Sequence, residues 1–409
     1  MLASLIPLFD DEMRVCAYSV FAQRENHLMN PYLMGTGRLD NVVNIVGLDI
    51  VDSVGTNVLS GGKEIFVEIN SISLFANIED QCEAPKEQII LLLDNTVFPE
   101  EPYLARLWDL RGQGYKIAMR KLSGNQFETY RPILSMCDYI LLDHRKINIR
   151  SARIYFEKAF PDIKLCAVGV DTKDDYERLT SDGAYDLYEG SFFRVPVEDS
   201  ERTVAPLKVT YIELLNLVNN PDFELQDAAD VIGKDAALVI SMLEMVNHMA
   251  VNSEITSVRH AAAMLGQKEL KKWINTAVTK ELCADKPSEI TRISMVRAKF
   301  AENLSSCFEM KGLSSELFLA GLFSLLDIML DQTMEQSLKL VHVSKKIEDA
   351  LLNNTGELWR VLNFVFEYEN ASWQEVSRIM ILENLEMDKV YAAYTDALRW
   401  YRDLIDPIS

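Results

Sequence analysis

Positive charge is in short supply. Against 62 Asp and Glu the 409 residues hold 41 Lys and Arg, which leaves a net charge of −21 at pH 7. So acidic a surface repels phosphate backbones, which argues against nucleic acid and anionic membranes as partners but leaves room for a local basic pocket. Long apolar runs are lacking too. The longest, Leu317 to Leu330, is broken by Asp327 and falls short of the ~20 residues a bilayer requires. The opening MLASLIPLFDDEM has no basic region and soon meets Asp10, Asp11 and Glu12, so it does not read as a signal peptide. The six cysteines (Cys16, Cys82, Cys137, Cys166, Cys283 and Cys307) are far apart with no C-x-x-C pair. They read as buried, reduced thiols of a cytoplasmic protein, not as a disulfide frame or zinc site. Phosphate-binding loops, dinucleotide fingerprints, H-E-x-x-H and G-x-S-x-G are all missing.

What remains is an ordinary core-forming composition, 48% hydrophobic and 25% charged, at a length that suggests two or three domains. Up to about residue 196, β-rich runs alternate with helical stretches: 14–22, 64–70, 88–94, 115–120, 138–143, 164–170 and 185–190. Helices such as EPYLARLWDLRGQG (101–114) lie between them. That alternation implies parallel strands, in a barrel or a doubly wound sheet. Seven runs are legible, and a closed barrel requires one more. After about residue 207 the strand signal stops and helical periodicity continues almost to the end, with a capping box expected at Ser372 and Glu375. The polar RVPVEDSERTVAP, between Pro196 and Pro206, marks the boundary, giving domains 1–200 and 201–409.

Several stretches carry a family resemblance: FVEINSISLF (66–75), GYKIAMRKL (114–122), DYILLD (138–143), AVGVDT (167–172) and EGSFFRVP (189–196). They resemble, in order and spacing, the EAL domain, a barrel that hydrolyses cyclic di-GMP in bacteria. Downstream, VIGKDAALVISMLEMVN (231–247), SVRHAAAMLG (257–266) and FLAGLFSLLD (318–327) resemble the HDOD domain, a relative of HD phosphohydrolases that has lost its metal site. The resemblance covers nearly the whole chain. It implies an α/β plus all-α protein, with a TIM-like (β/α) barrel followed by an all-helical HDOD domain, as in two-domain bacterial EAL–HDOD signalling proteins.

It also implies which residues stand where an active EAL domain places its oxygen ligands for hard metal ions. The signature Glu-Ala-Leu corresponds to Ser19-Val20-Phe21. The second strand's asparagine survives as Asn70. The third strand's glutamate falls at about Leu91, with Asp94 nearby. The paired aspartates become Arg120 and Lys121. In Lys-x-Asp the lysine is Leu141 and the aspartate is Asp143. In Ala-Glu-x-Val-Glu-Thr the glutamates become Val168 and Asp171, and the Gln of Gln-Gly-Tyr is Glu189. A single positive side chain ~5 Å from a divalent ion repels it by roughly 6–7 kcal/mol at an effective dielectric of ~20. The expectation is therefore no metal, no cofactor and no catalytic residue in the barrel. In the helical half the Gly-Leu-x-His-Asp of HD hydrolases becomes Gly321-Leu322-Phe323-Ser324-Leu325, whose Ser and Leu cannot hold a metal.

The leading reading is a non-enzymatic signalling scaffold that binds a protein partner through its HDOD domain. A receptor that binds cyclic di-GMP or a related nucleotide without cleaving it is the alternative, and an active phosphodiesterase a remote one. The candidate ligand-binding residues are Asn70, Arg120, Lys121, Asp143 and Asp171. Arg120 and Lys121 either clamp a phosphate or pair with nearby acids such as Asp94 or Asp143. Strand alternation should turn only one of them into the mouth. Homodimer formation rests on the resemblance alone. Asp143–His144 reads as structural. His248 and His260 read as surface or packing histidines, Asn247 as a helix terminator, and Met242, Met245 and Met249 as core. The aromatics that enrich the last fifth of the chain read mostly as core, with a few free for a partner.

Overall fold

The computed structural model describes residues 1–26, 28, 44–198, 206–220, 222–249 and 255–405. Two compact units emerge: Met1–Val195 with Phe364–Arg402, and Pro196–Asn363 with the chain's end from Asp403.

The first unit is built on eight strands closed into a barrel. They are β1 (Leu2–Phe9), β2 (Val15–Gln23), β3 (Glu64–Ile69), β4 (Ile89–Leu93), β5 (Lys116–Arg120), β6 (Tyr139–Asp143), β7 (Lys164–Val168) and β8 (Leu187–Glu189). Seven match the legible runs. The eighth is β1, which lies antiparallel to both β2 and β8, whereas β2 through β8 run parallel. Its sequence hides it: Pro7 lies within the run, and proline removes a ladder donor and argues against a strand. A short turn returns the chain into β2. There Asp10 Oδ1 accepts the Glu12 and Arg14 N–H groups at 3.0 and 2.9 Å, the side-chain-to-backbone bonding that favours Asp in turns.

Helices α1 (Val46–Val54), α2 (Thr56–Ser60), α3 (Glu101–Gly112), α4 (Arg131–Leu134), α5 (Ile149–Ala159) and α6 (Lys173–Ser181) connect the strands. One buried cluster draws on every strand: Leu8, Ala17, Phe66, Ile90, Leu92, Ala118, Tyr139, Leu141, Cys166 and Leu187. Side chains alternate along a strand, so a cluster supplied by all eight strands is the barrel lumen, packed as in other barrels of this kind.

The second unit is helical: α7 (Pro206–Asn219), α8 (Leu225–Ile232), α9 (Ala236–Met249), α10 (Val258–Leu282), α11 (Ser288–Leu304), α12 (Ser314–Leu322), α13 (Leu326–Leu330), α14 (Met334–Leu340), α15 (Lys345–Leu352) and the start of α16 (Gly356–Glu369). Helix α10 is broken at Gly266, whose φ of 72° is non-helical. Lys311–Leu330 is the one candidate membrane span among the described residues by length and composition. It is cut by a 3₁₀ turn at Phe323–Leu325, and Leu317, Phe318, Leu322, Phe323, Leu326 and Met329 are buried in the protein. Asn247 clamps Ile255, donating to its carbonyl at 2.9 Å and accepting its N–H at 2.6 Å. That ties the end of α9 to the segment ahead of α10.

Several expectations need correction. The helical domain does not run to residue 409 as one body, because Phe364–Arg402 belongs to the barrel unit. The rest of α16, α17 (Trp373–Leu382) and most of α18 (Met387–Ile405) fall in that unit, and α16 and α17 bond to the barrel's first two strands. The Ala3 N–H donates to Tyr368 Oη at 3.1 Å, Ser4 Oγ to the Glu369 carbonyl at 2.9 Å and Gln23 Nε2 to Ser377 Oγ at 3.1 Å. Phe364, Tyr368 and Tyr394 are therefore core of the barrel unit. The capping box at Ser372 does not form. Its side chain makes no cap bond, and Glu375 pairs instead with Arg378, one turn along α17. Of the six cysteines, Cys16 is exposed and Cys307 half-buried.

Candidate functional site

Two residues beyond the lumen layer, on the same face of each strand, come Ser19, Glu68, Asp94, Arg120, Asp143, Val168 and Glu189. The pleat's period of two puts them together at the C-terminal end of the barrel, where (β/α) barrels carry their sites. It also corrects one alignment. Leu92 faces the lumen, so Leu91, one residue earlier, faces the other way, and the position resembling the third-strand glutamate is Leu92. Glu68 was not singled out in the sequence, yet it stands in this layer.

Arg120 forms an ion pair with Glu68, and its buried Nε has no hydrogen-bond partner among the described residues. Lys121 follows the end of β5 with φ of 61°. That left-handed turn breaks the strand alternation, and its Nζ reaches Asp94 Oδ2 at 3.4 Å. Both residues therefore line the mouth, against the expectation of one. Asp94 is also held by Thr96, through its N–H at 3.0 Å and its hydroxyl at 2.5 Å. Although burial pushes the Asp94 carboxyl up, Thr96 and Lys121 outweigh it and hold the carboxyl below its ordinary value.

Asp143 is closed off in the same manner. Arg145 Nε sits 3.1 Å from Oδ1 and Lys146 Nζ 2.9 Å from Oδ2. Burial works against ionisation there, but these bonds hold the carboxyl at about 2. Its neighbour His144 turns away and donates from Nε2 to the Gly169 carbonyl at 2.9 Å. Asn70 spends its Oδ1 on its own turn, accepting the Ile72 and Ser73 N–H groups at 2.9 Å each. Asp171 is exposed and reaches the group only through Arg145, 3.6 Å away.

Glu189 behaves differently. Burial pushes its carboxyl up to about 7, against the hydroxyl of Ser19, which donates at 3.2 Å, and the nearby charge of Arg120. Two recesses of about 330 and 360 Å³ open at the mouth, and Arg120 and Lys121 line both. Glu68, Asn70 and Asp94 complete the first, and Asp143, Lys146 and Glu189 the second, while Asp171 lines neither. The structure thus brings four of the five candidates together and leaves Asp171 at the margin. Among the described residues no group of three or more His, Cys, Asp and Glu is arranged to hold a metal ion.

In the helical unit, Arg297 Nη1 donates to Ser324 Oγ at 2.9 Å, and that hydroxyl donates to the Gly321 carbonyl at 2.7 Å. Ser294 Oγ bonds the Leu322 carbonyl at 2.7 Å, and Leu325 is buried. The pair that resembles His-Asp is thus tied into the α11–α12 packing. Buried Asp327 accepts the Val197 N–H at 3.1 Å. His248 and His260 are exposed. Met242 is core, and the side chain of Met249 lies outside the described residues.

Residues 204–360 match the HDOD domain family. Over 410 residues the chain is 25% identical to the uncharacterized protein YuxH of Bacillus subtilis (strain 168), covering 98% of each. It is also 25% identical over 358 residues to the cyclic di-GMP phosphodiesterase CdgJ of Vibrio cholerae serotype O1, covering 86% of this chain and 82% of that one. Among solved structures, the EAL enzyme Bd1971 in its cAMP- and cyclic-di-GMP-bound form is similar at a TM-score of 0.36 and 14% identity. That match covers 46% of this chain, which spans about three-fifths (60%) of the length of Bd1971.

Proposed function

We propose that this two-domain chain, an EAL-type barrel followed by an HDOD domain, is a catalytically inactive signalling scaffold that binds a protein partner through its HDOD domain. One observation carries the reading. At the barrel mouth the positions resembling the paired metal-binding aspartates are Arg120 and Lys121, and each is neutralised internally, by Glu68 and Asp94. Asp143 and Asp171 are compensated as well, both by Arg145, while burial holds the Glu189 carboxyl toward its neutral form. A hard divalent ion requires uncompensated oxygen ligands. Here it would have to displace ammonium and guanidinium groups from Glu68, Asp94, Asp143 and Asp171.

The two mouth recesses favour a second reading, a receptor for cyclic di-GMP. Each recess is within the size range of small-molecule sites, and Arg120 and Lys121 stand between them. A relative named as a cyclic di-GMP phosphodiesterase supports this ligand class. Phosphate oxygens would take over the two cations from Glu68 and Asp94.

The deciding experiment is calorimetric titration of the full chain with cyclic di-GMP in magnesium and then in manganese, with hydrolysis followed in parallel. The scaffold reading expects flat heats and no turnover. Micromolar binding without turnover selects the receptor, and Arg120→Ala should then weaken affinity about tenfold, or ~1.4 kcal/mol. Metal-dependent turnover overturns both readings. A homodimer, the remaining expectation, is read from the mass of the purified chain in solution.

A further inference from the structure

The helical unit carries a small basic pocket far from the usual character of this acidic chain. Beyond the break at Gly266, Lys268, Lys271 and Lys272 fall on one face of α10, at the three- and four-residue spacings that make helix neighbours. They line a cavity of about 130 Å³ together with Glu302 of α11 and Ser315 and Phe318 of α12. Three ammonium groups thus face one carboxylate in a protein whose net charge is −21.

That carboxylate is already fully engaged. Lys272 Nζ lies 3.0 and 2.8 Å from the two Glu302 oxygens, and Lys299 Nζ lies 2.9 Å from one of them. Lys272 also sits 4.9 Å from the centre of the Phe318 ring, a cation–π arrangement that fixes its head at the pocket floor. Lys271 has no such partner. It is half-buried, and among the described residues its ammonium makes no ion pair or hydrogen bond. Burial pulls it below the ordinary lysine value, and Glu316 offsets this only through space. A half-buried ammonium at the edge of a cavity is stabilised by a counter-ion seated there. Buried Asn275, which also lines the pocket, donates to the Lys271 backbone carbonyl at 2.8 Å. Ser315 lies in the first turn of α12, whose free N–H groups and dipole favour an anion.

We propose that this pocket is a binding site for a phosphoryl-sized oxyanion, with Lys271 as its unpaired ligand and Lys268 and Lys272 flanking it. At about 130 Å³ the cavity is below the range of nucleotide-sized sites, so the group recognised is small. It is met either as free inorganic phosphate or as a phosphorylated side chain.

The test titrates the full chain, at constant ionic strength, with inorganic phosphate and separately with a short phosphoserine peptide and its unphosphorylated twin. Saturable binding is expected in at least one phosphorylated arm. The peptide arm alone identifies a phosphorylated side chain as the source, and binding of inorganic phosphate identifies the free ion. Lys271→Met should weaken binding about tenfold and Lys271→Arg should restore most of it. Lys268→Met, an exposed position that leaves the fold alone, should weaken it about threefold. Failure of both arms to saturate overturns the proposal, as does equal affinity in wild type, Lys271→Met and Lys268→Met.

Discussion

Glu189 is the mouth residue whose charge depends most on pH near neutrality. Its ordinary carboxyl value is 4.5, and burial carries it to about 7 in the folded chain. Between those values the folded state binds the extra proton, so stability falls as pH rises through the interval, and the full penalty applies above about pH 7. Each unit corresponds to about 1.4 kcal/mol. Allowing for the partial exposure of the side chain, the penalty is about 2 kcal/mol. Glu189→Gln should therefore raise the urea midpoint at pH 8 and change it little at pH 5. A gap between variant and wild type that stays constant from pH 5 to pH 8 would refute this. The neighbours of Glu189 were unevenly legible in the sequence. Arg120, Lys121 and Asp143 lie within motif-like strings. Glu68 does not stand at a position the family marks, and its importance follows only from a lumen-facing register shared with Arg120. The choice between Leu91 and Leu92 has the same origin, because five leucines and isoleucines in a row, Ile89 to Leu93, hide the strand's parity.

At the scale of elements, strands β2 to β8 were readable because each is a compact apolar run between helices. Strand β1 escaped because Pro7 interrupts it and because it runs against its neighbours, which alternation of parallel strands does not anticipate. The capping box at Ser372 failed for a related reason: a side chain's local partner, Arg378 for Glu375, competes with the cap and won. The crossing of α11 and α12 could not be read from sequence either, since it depends on a missing side chain. A Cβ on Gly321 would sit 2.8 Å from the Ala298 backbone N and Cα and the Arg297 carbonyl carbon. All are main-chain atoms of α11, so nothing flexible can move aside. Gly321→Ala should cost about 1–3 kcal/mol, the range for overpacking a tight core, seen as a lowered urea midpoint for the helical unit. It should also disturb the adjoining Ser294–Leu322 and Arg297–Ser324 bonds. A variant as stable as wild type would mean that the helices slide apart freely at this crossing.

For the whole molecule, the order of domains in the sequence is not the division of the structure. The shift from strand to helical rhythm near residue 200 reads as one boundary, and the HDOD match to residues 204–360 is consistent with it. Periodicity reports that a segment is helical and which of its faces is apolar. It does not report which surface receives that face. The helices after residue 363 look like a continuation of the helical domain but cover β1, where the buried Ala3 N–H donates to Tyr368 Oη. Removing them strips apolar cover from Leu2, Ala3 and Leu5, all buried in the full chain, and exchanges the Ala3–Tyr368 bond for water. The larger cost is the lost packing around Phe364, Tyr368 and Tyr394, all buried in the full chain. A fragment ending at residue 200, the expected barrel domain, should therefore aggregate or melt well below the full chain. The same fragment joined by a flexible linker to residues 364–405 should recover a cooperative transition. Equal melting of the two fragments would show that the barrel closes without its C-terminal helices. Recovery only in the linked fragment would make residues 1–195 and 364–402 one folding unit, with the HDOD region inserted between its two parts.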